Sequence, residues 1–206
     1  MGLKELSVQD FVTALSVKEP TPGGGSAAGL VGATGVGLLL MVAHYLEDQT
    51  KVCHLYEIFE KAKNDLLDLI DKDAESFDQY MKAIKLPKVT EEEKKERSIQ
   101  MQLALKAASA VPYATMKACY EVIPHMEILE KACKKGMISD LGAAATCLRS
   151  AIESAYLNII INAGSIKDTD YSTVLLSEAI TILESSVQDL DHIYKRVVEI
   201  LVSPNS

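Results

Sequence analysis

Four places in the chain put polar side chains or bare backbone where chemistry could use them. Asp73 lies three residues after Ile70 and four before Phe77, on an otherwise apolar helical stripe. A buried carboxylate is costly unless it is paired or hydrogen-bonded, so Asp73 sits either at a water-facing edge or in a site. Ser139 and Asp140 open a helical pattern just after Gly136. Ser at an N-cap and Asp in the first turn are ordinary helix-start chemistry; the same place also suits a carboxylate acting as a base. Asn158 and Asn162 fall one turn apart around Ile159, Ile160 and Ile161. Two amides on such a face need partners, which a ligand, a subunit or backbone could supply. The loop Pro22-Gly23-Gly24-Gly25-Ser26 enters a helix. Its glycines let backbone N–H groups approach a ligand without side-chain bulk, and at least one of them is expected at positive φ. No Gly-Lys-Ser/Thr follows, so it is not a nucleotide phosphate loop.

The elements that must position these groups read as helices throughout. Ser7 is the expected N-cap of a short helix to Leu15. After the glycine loop, Ala27 to Leu46 runs without a charged residue. That is transmembrane length, but the run is unique in the chain, has no basic flank and is rich in glycine. It is expected to be the central helix of a soluble bundle, with Gly29, Ala33 and Gly37 as a bare face for close approach. Leu55 to Ile84 carries the clearest 3.6-residue period. Further helices are expected over Glu92–Val111, stopped or kinked at Pro112, and over Tyr113–Lys135, with a bend at Pro124. Two more are expected from a Ser139 cap to Ala163 and over Thr173–Leu201. The reading is all-α: a bundle of long antiparallel helices in a single domain, residues 1–206.

Composition excludes several function classes. With 21 Lys and Arg against 29 Asp and Glu, the net charge is −8. That argues against nucleic acid as a partner, since such binding draws on Lys and Arg at phosphates. No Trp and few aromatics leave little for stacking on sugars or RNA. Cys53, Cys119, Cys133 and Cys147 form no Cys-x-x-Cys pair, and His44, His54, His125 and His192 have no ligand spacing. No metal site is expected. The cysteines read as reduced core thiols, and the first ten residues lack the pattern of a signal peptide, so a cytoplasmic location is expected.

Taken together and in order, Thr21-Pro-Gly-Gly-Gly-Ser-Ala-Ala28, Met41-Val42, Asp73-x-x-x-Phe77, Leu86-Pro87, Ala107-x-x-x-Val111-Pro112, Ser139-Asp140 and Asn158-Ile-Ile-Ile-Asn162 resemble the cyclodeaminase/cyclohydrolase family of one-carbon folate enzymes. The resemblance runs from about Leu6 to Val202. It implies an all-helical fold, a dimer or larger assembly, and no metal or cofactor beyond the tetrahydrofolate substrate. One stretch departs from the family pattern: Leu46-Glu-Asp-Gln-Thr-Lys51 keeps only Lys51.

The resemblance implies chemistry at the 5,10-methenyl bridge of tetrahydrofolate. Water attacks the methenyl carbon in a cyclohydrolase; N10 attacks a formimino carbon and ammonia leaves in a cyclodeaminase. Both need a carboxylate beside a delocalised cation and a group to move protons. Asp140 is expected as charge stabiliser or base, Asp73 as acid, and Ser139 and Ser26 as positioning groups. Gly23, Gly24, Gly25, Lys51, Asn158 and Asn162 are expected to hold substrate, with Lys51, Lys85 or Lys88 near the glutamate tail. The cyclohydrolase is slightly preferred, because this sequence shows no formiminotransferase domain to deliver a formimino group. The competing reading is a helical scaffold or dimerisation protein that kept the fold and lost the activity. Convergence of the named residues on one pocket separates the two.

Overall fold

In the computed structural model, which describes residues 2–203, the chain forms helices α1 (Val8–Leu15), α2 (Gly24–His44), α3 (Cys53–Ile84), α4 (Glu91–Val122), α5 (Met126–Ala132), α6 (Ile138–Ala163) and α7 (Thr169–Val202). No strand occurs among the described residues. Local chemistry sets several of the ends. Ser7 caps α1 by accepting from the Asp10 N–H. Thr90 and Glu93 form a reciprocal capping box at the start of α4, which satisfies two of its orphan donors. Asp168 caps α7 through the Tyr171 N–H.

Helices α2, α3, α4 and α6 form the ring of a bundle, each packed on two neighbours, and α7 lies against α6 and α4. Neighbours run antiparallel. Ser26 of α2 meets Asp73 of α3, whereas Ala43 at the other end of α2 meets Tyr56. Likewise Asn162 of α6 meets Ala108 of α4. One apolar core joins α2 to α7, with Val36, Leu39, Leu55, Phe59, Leu66, Met116, Leu148 and Ile152 at its centre.

Helix α2 is long and apolar enough to cross a membrane by length and composition. Here it is an inner wall of the bundle, with Val36, Leu39, Val42 and Ala43 fully buried. Its glycines do not form one face. A Cβ at Gly29 would press on Leu66 and Ile70 of α3, one at Gly32 on Cys119 of α4, and one at Gly35 on Cys147 and Leu148 of α6. The helix is thinned on three sides, which lets three neighbours close on it. Gly37, expected on a packing face with Gly29 and Ala33, has nothing within 4 Å of its Cβ position.

Three sequence expectations about elements are corrected. Pro112 neither stops nor divides a helix; α4 runs through it to Val122. The break comes at a 3-10 turn, Ile123–His125, which contains Pro124. Ser139 is not an N-cap: α6 begins at Ile138, with Met137 in the cap position and no side-chain cap bond. Of the cysteines, all free, Cys119 is buried while Cys53 is exposed, so only part of the set belongs to the core.

Candidate functional site

The site is built where the first turn of α2 meets the middle of α3. Gly23 is the N-cap of α2, in extended backbone, and its side cannot cap. The first N–H groups of a helix have no intrahelical acceptor. Asp73 of α3 supplies one from across the bundle: its Oδ2 accepts from the Ser26 N–H at 2.7 Å. The Ser26 hydroxyl lies 2.9 Å from the same oxygen and 3.0 Å from the Ile70 carbonyl. Ser26 is fully buried. Burial pushes the Asp73 carboxyl above its ordinary value, and the two bonds from Ser26 only partly oppose that. Asp73 is therefore a half-buried, partly desolvated carboxylate held at a helix N-terminus, and it forms no ion pair among the described residues.

The last glycine of the loop is explained by this carboxylate. A Cβ at Gly25 would sit 2.1 Å from Asp73 Oδ1, so only hydrogen fits. The expectation of positive φ is corrected: none of the described glycines has it. Gly24 and Gly25 are ordinary first-turn residues of α2, and the demand on Gly25 is steric. The Gly24 and Gly25 N–H groups remain available at the helix start.

A cleft of about 420 Å³ opens beside this junction, lined by Gly23, Gly24, Gly25, Asp73, Asn158 and Asn162 together with Ser76, Phe77, Tyr80, Leu105 and Ala108. It lies at one end of the bundle and touches all four ring helices. The Asn158 amide nitrogen donates to the Ser154 carbonyl at 2.9 Å, and that of Asn162 to the Ala108 carbonyl at 3.0 Å. Asp73, Ser26, the three glycines and both asparagines thus converge as one site. Lys85 and Lys88 follow the end of α3 at this same end of the bundle and are exposed.

Ser139 and Asp140 do not join them. They lie in the first turn of α6, whereas Asn158 lies 18 residues further along the same helix, which is about 27 Å at 1.5 Å per residue. Ser139 is exposed and Asp140 half-buried. Their placement as catalytic partners of Asp73 within one chain is corrected by the length of the helix between them. Lys51 lies in the 3-10 turn Gln49–Lys51 beyond the far end of α2, also away from the cleft; its side chain is outside the described residues.

Ser76 and Tyr80 were not singled out by sequence. They sit three and seven residues after Asp73, so projecting α3 from Asp73 would have found them. Leu105 and Ala108 carry no such signal except that Ala108 is four residues before Pro112. Among the described residues no group of His, Cys, Asp or Glu gathers that could hold a metal ion.

With this geometry in place, the relatives become informative. Residues 7–180 match the family described as formiminotransferase-cyclodeaminase. The chain belongs to the formiminotransferase-cyclodeaminase family. It is 34% identical over 198 residues to methenyltetrahydrofolate cyclohydrolase of Methylorubrum extorquens, covering 93% of this chain and 95% of that protein. It is 32% identical over 174 residues to formimidoyltransferase-cyclodeaminase of Mus musculus, covering 81% of this chain but only 32% of that larger protein. A crystal structure of formiminotetrahydrofolate cyclodeaminase from Thermotoga maritima superposes with a TM-score of 0.78 at 27% identity, covering 97% of each chain. Within this family the cleft at the α2 start is the place where the chain's convergent polar groups lie.

Proposed function

We propose that this chain is a methenyltetrahydrofolate cyclohydrolase, with Asp73 as its proton-transferring group. The observation that carries the reading is the desolvated Asp73 carboxylate, fixed by Ser26 against the open N–H groups of α2 inside the cleft. A cationic methenyl bridge beside Asp73 offsets its charge. Asp73 takes a proton from water as the oxygen bonds to the methenyl carbon. Addition leaves a neutral hydroxyl on that carbon, and the Gly24 and Gly25 N–H groups suit the charge that develops on its oxygen as the remaining proton leaves during collapse. When the carbon–N5 bond breaks, the hydroxyl oxygen becomes the formyl carbonyl. Of the two protons water brings, one ends on N5 and one is released. Asn158 and Asn162 face the ring system, and Lys85 and Lys88 suit the glutamate tail.

The near-complete coverage of the cyclohydrolase relative favours this reaction. The second reading, ammonia-releasing cyclodeaminase, is favoured by the Thermotoga likeness and uses the same carboxylate, with N10 as nucleophile. Purified protein given 5,10-methenyltetrahydrofolate should discharge its absorbance above the uncatalysed rate. Ammonia release from 5-formiminotetrahydrofolate without that activity would select the second reading. Absence of both would leave the scaffold reading.

We further propose a homodimer in the cytoplasm. Free cysteines suit a reducing compartment. The outer face of α2 carries half-buried Leu30, Val31, Leu38 and Met41, and beside it Leu157 and Ile161 of α6 are 66% and 71% exposed. Exposed and half-buried apolar side chains of this kind suit an association site, and a second copy is the simplest occupant.

A further inference from the structure

Proline inside a helix removes the N–H that would bond the carbonyl four residues earlier. At Pro112 that carbonyl belongs to Ala108. It is nevertheless satisfied, because Asn162 of α6 donates its amide nitrogen to it at 3.0 Å. Ala108 and Asn162 both line the cleft, whereas Pro112 is buried and does not. We propose that Pro112 is a positioning residue of the ligand cleft: it frees the Ala108 carbonyl to hold Asn162, which then presents its amide oxygen to the ligand.

The polarity follows from the bond itself. A carbonyl can only accept, so the atom of Asn162 facing Ala108 is nitrogen, and the oxygen is the end left for the cleft. Asn158 is fixed in the same sense, its nitrogen donating to the Ser154 carbonyl at 2.9 Å. The two amides therefore offer the cleft a pair of acceptors. They suit a ligand edge rich in N–H donors, such as the amino-pyrimidine edge of a reduced pterin. That choice of ligand rests on the folate reading above.

The test restores the missing donor. Pro112→Ala gives residue 112 an N–H that bonds Ala108 within α4 and competes with Asn162. The KM for 5,10-methenyltetrahydrofolate should rise about three- to tenfold, the range for one hydrogen bond, with kcat within about twofold. In an Asn162→Ala background the same change should add nothing. The thermal midpoint should not fall, since an interior proline is lost. In 15N-labelled protein, the side-chain amide signals of Asn162, assigned by their loss in Asn162→Ala, should exchange with solvent faster in Pro112→Ala. An unchanged KM with unchanged exchange, or an equal penalty in both backgrounds, would overturn the proposal. If the wild type neither binds nor turns over the folate, the folate reading fails, and the exchange measurement alone still decides whether Pro112 holds Asn162. If Pro112→Ala does not fold, Asn162→Asp keeps the proline but cannot donate to Ala108. It should raise KM similarly, and a wild-type KM there would equally overturn the proposal.

Discussion

Asp73 is the residue on which the proposed proton transfer and a stability cost converge. Its carboxyl is raised by burial, so the unfolded chain gives up this proton at lower pH than the folded protein does. Between those two values the folded state holds more protons, and stability falls as pH rises. Asp73→Asn keeps an acceptor for the Ser26 N–H and removes the buried charge. It should melt at or above the wild-type temperature at neutral pH, with the difference closing as the pH drops below the ordinary carboxylate range. Turnover should fall about 10²- to 10⁴-fold, as for loss of a positioned acid–base group; an active Asp73→Asn would remove Asp73 from the chemistry. For the wild type, kcat/KM should rise with pH through a value above the normal aspartate range. Asp140→Asn, by contrast, should stay within about threefold of wild type, because no single chain brings Asp140 to the cleft. A hundredfold loss there would mean that a second copy delivers it, which mixed dimers of Asp73→Asn and Asp140→Asn would reveal by regaining activity. Gly25→Ala should abolish turnover while circular dichroism still reports helix, since its Cβ occupies the place of Asp73 Oδ1.

At the scale of elements, α2 shows how tight packing and helix propensity oppose each other. Glycine inside a helix is disfavoured by roughly 0.5–1 kcal/mol relative to alanine. At Gly32 a Cβ would lie 2.9 Å from Cys119 Sγ and 3.2 Å from a Leu66 methyl. Overpacking of a buried contact costs about 1–3 kcal/mol, so Gly32→Ala should lower the denaturation midpoint despite its better propensity. Cys119→Ala removes the nearest atom. In that background Gly32→Ala should become neutral or stabilising, and a penalty that persists unchanged would place the clash elsewhere. Helix α4 makes the complementary point: an interior proline is tolerated because a neighbouring helix satisfies the carbonyl it frees.

For the whole molecule, the up-down ring gathers the start of α2, the last turns of α6 and inner stretches of α3 and α4 around the cleft, and it leaves apolar side chains exposed on α6. Sedimentation at micromolar concentration should give a mass near twice 22.4 kDa or a larger multiple. Leu157→Glu with Ile161→Glu should shift it toward the monomer while leaving helical content intact. A monomeric wild type would show that this face has another occupant.

The helical periodicity of α3, the Ser7 cap, the apolar run of α2 and the absence of alternating segments were legible in the sequence because they are local: side chains and backbone within a few turns decide them. The unusual placement of Asp73, Asn158 and Asn162 was legible for the same reason, as polar groups interrupting apolar periods. Whether those groups meet is a question of packing. Antiparallel pairing brings residues 26 and 73 together and carries 162 to 108, while the straight length of α6 keeps Asp140 from Asn158. The ordered motifs carry no measure of those separations, so Ser139 and Asp140 were expected in the same site as Asp73. Pro112 read as a stop or kink because its lost bond is local, and only the tertiary structure supplies the amide that replaces it. Sequence determined that the chain is helical throughout and which residues are out of place in its helices, because both are local; the packing of α2 against α3 and α6 decided which of those residues share one cleft.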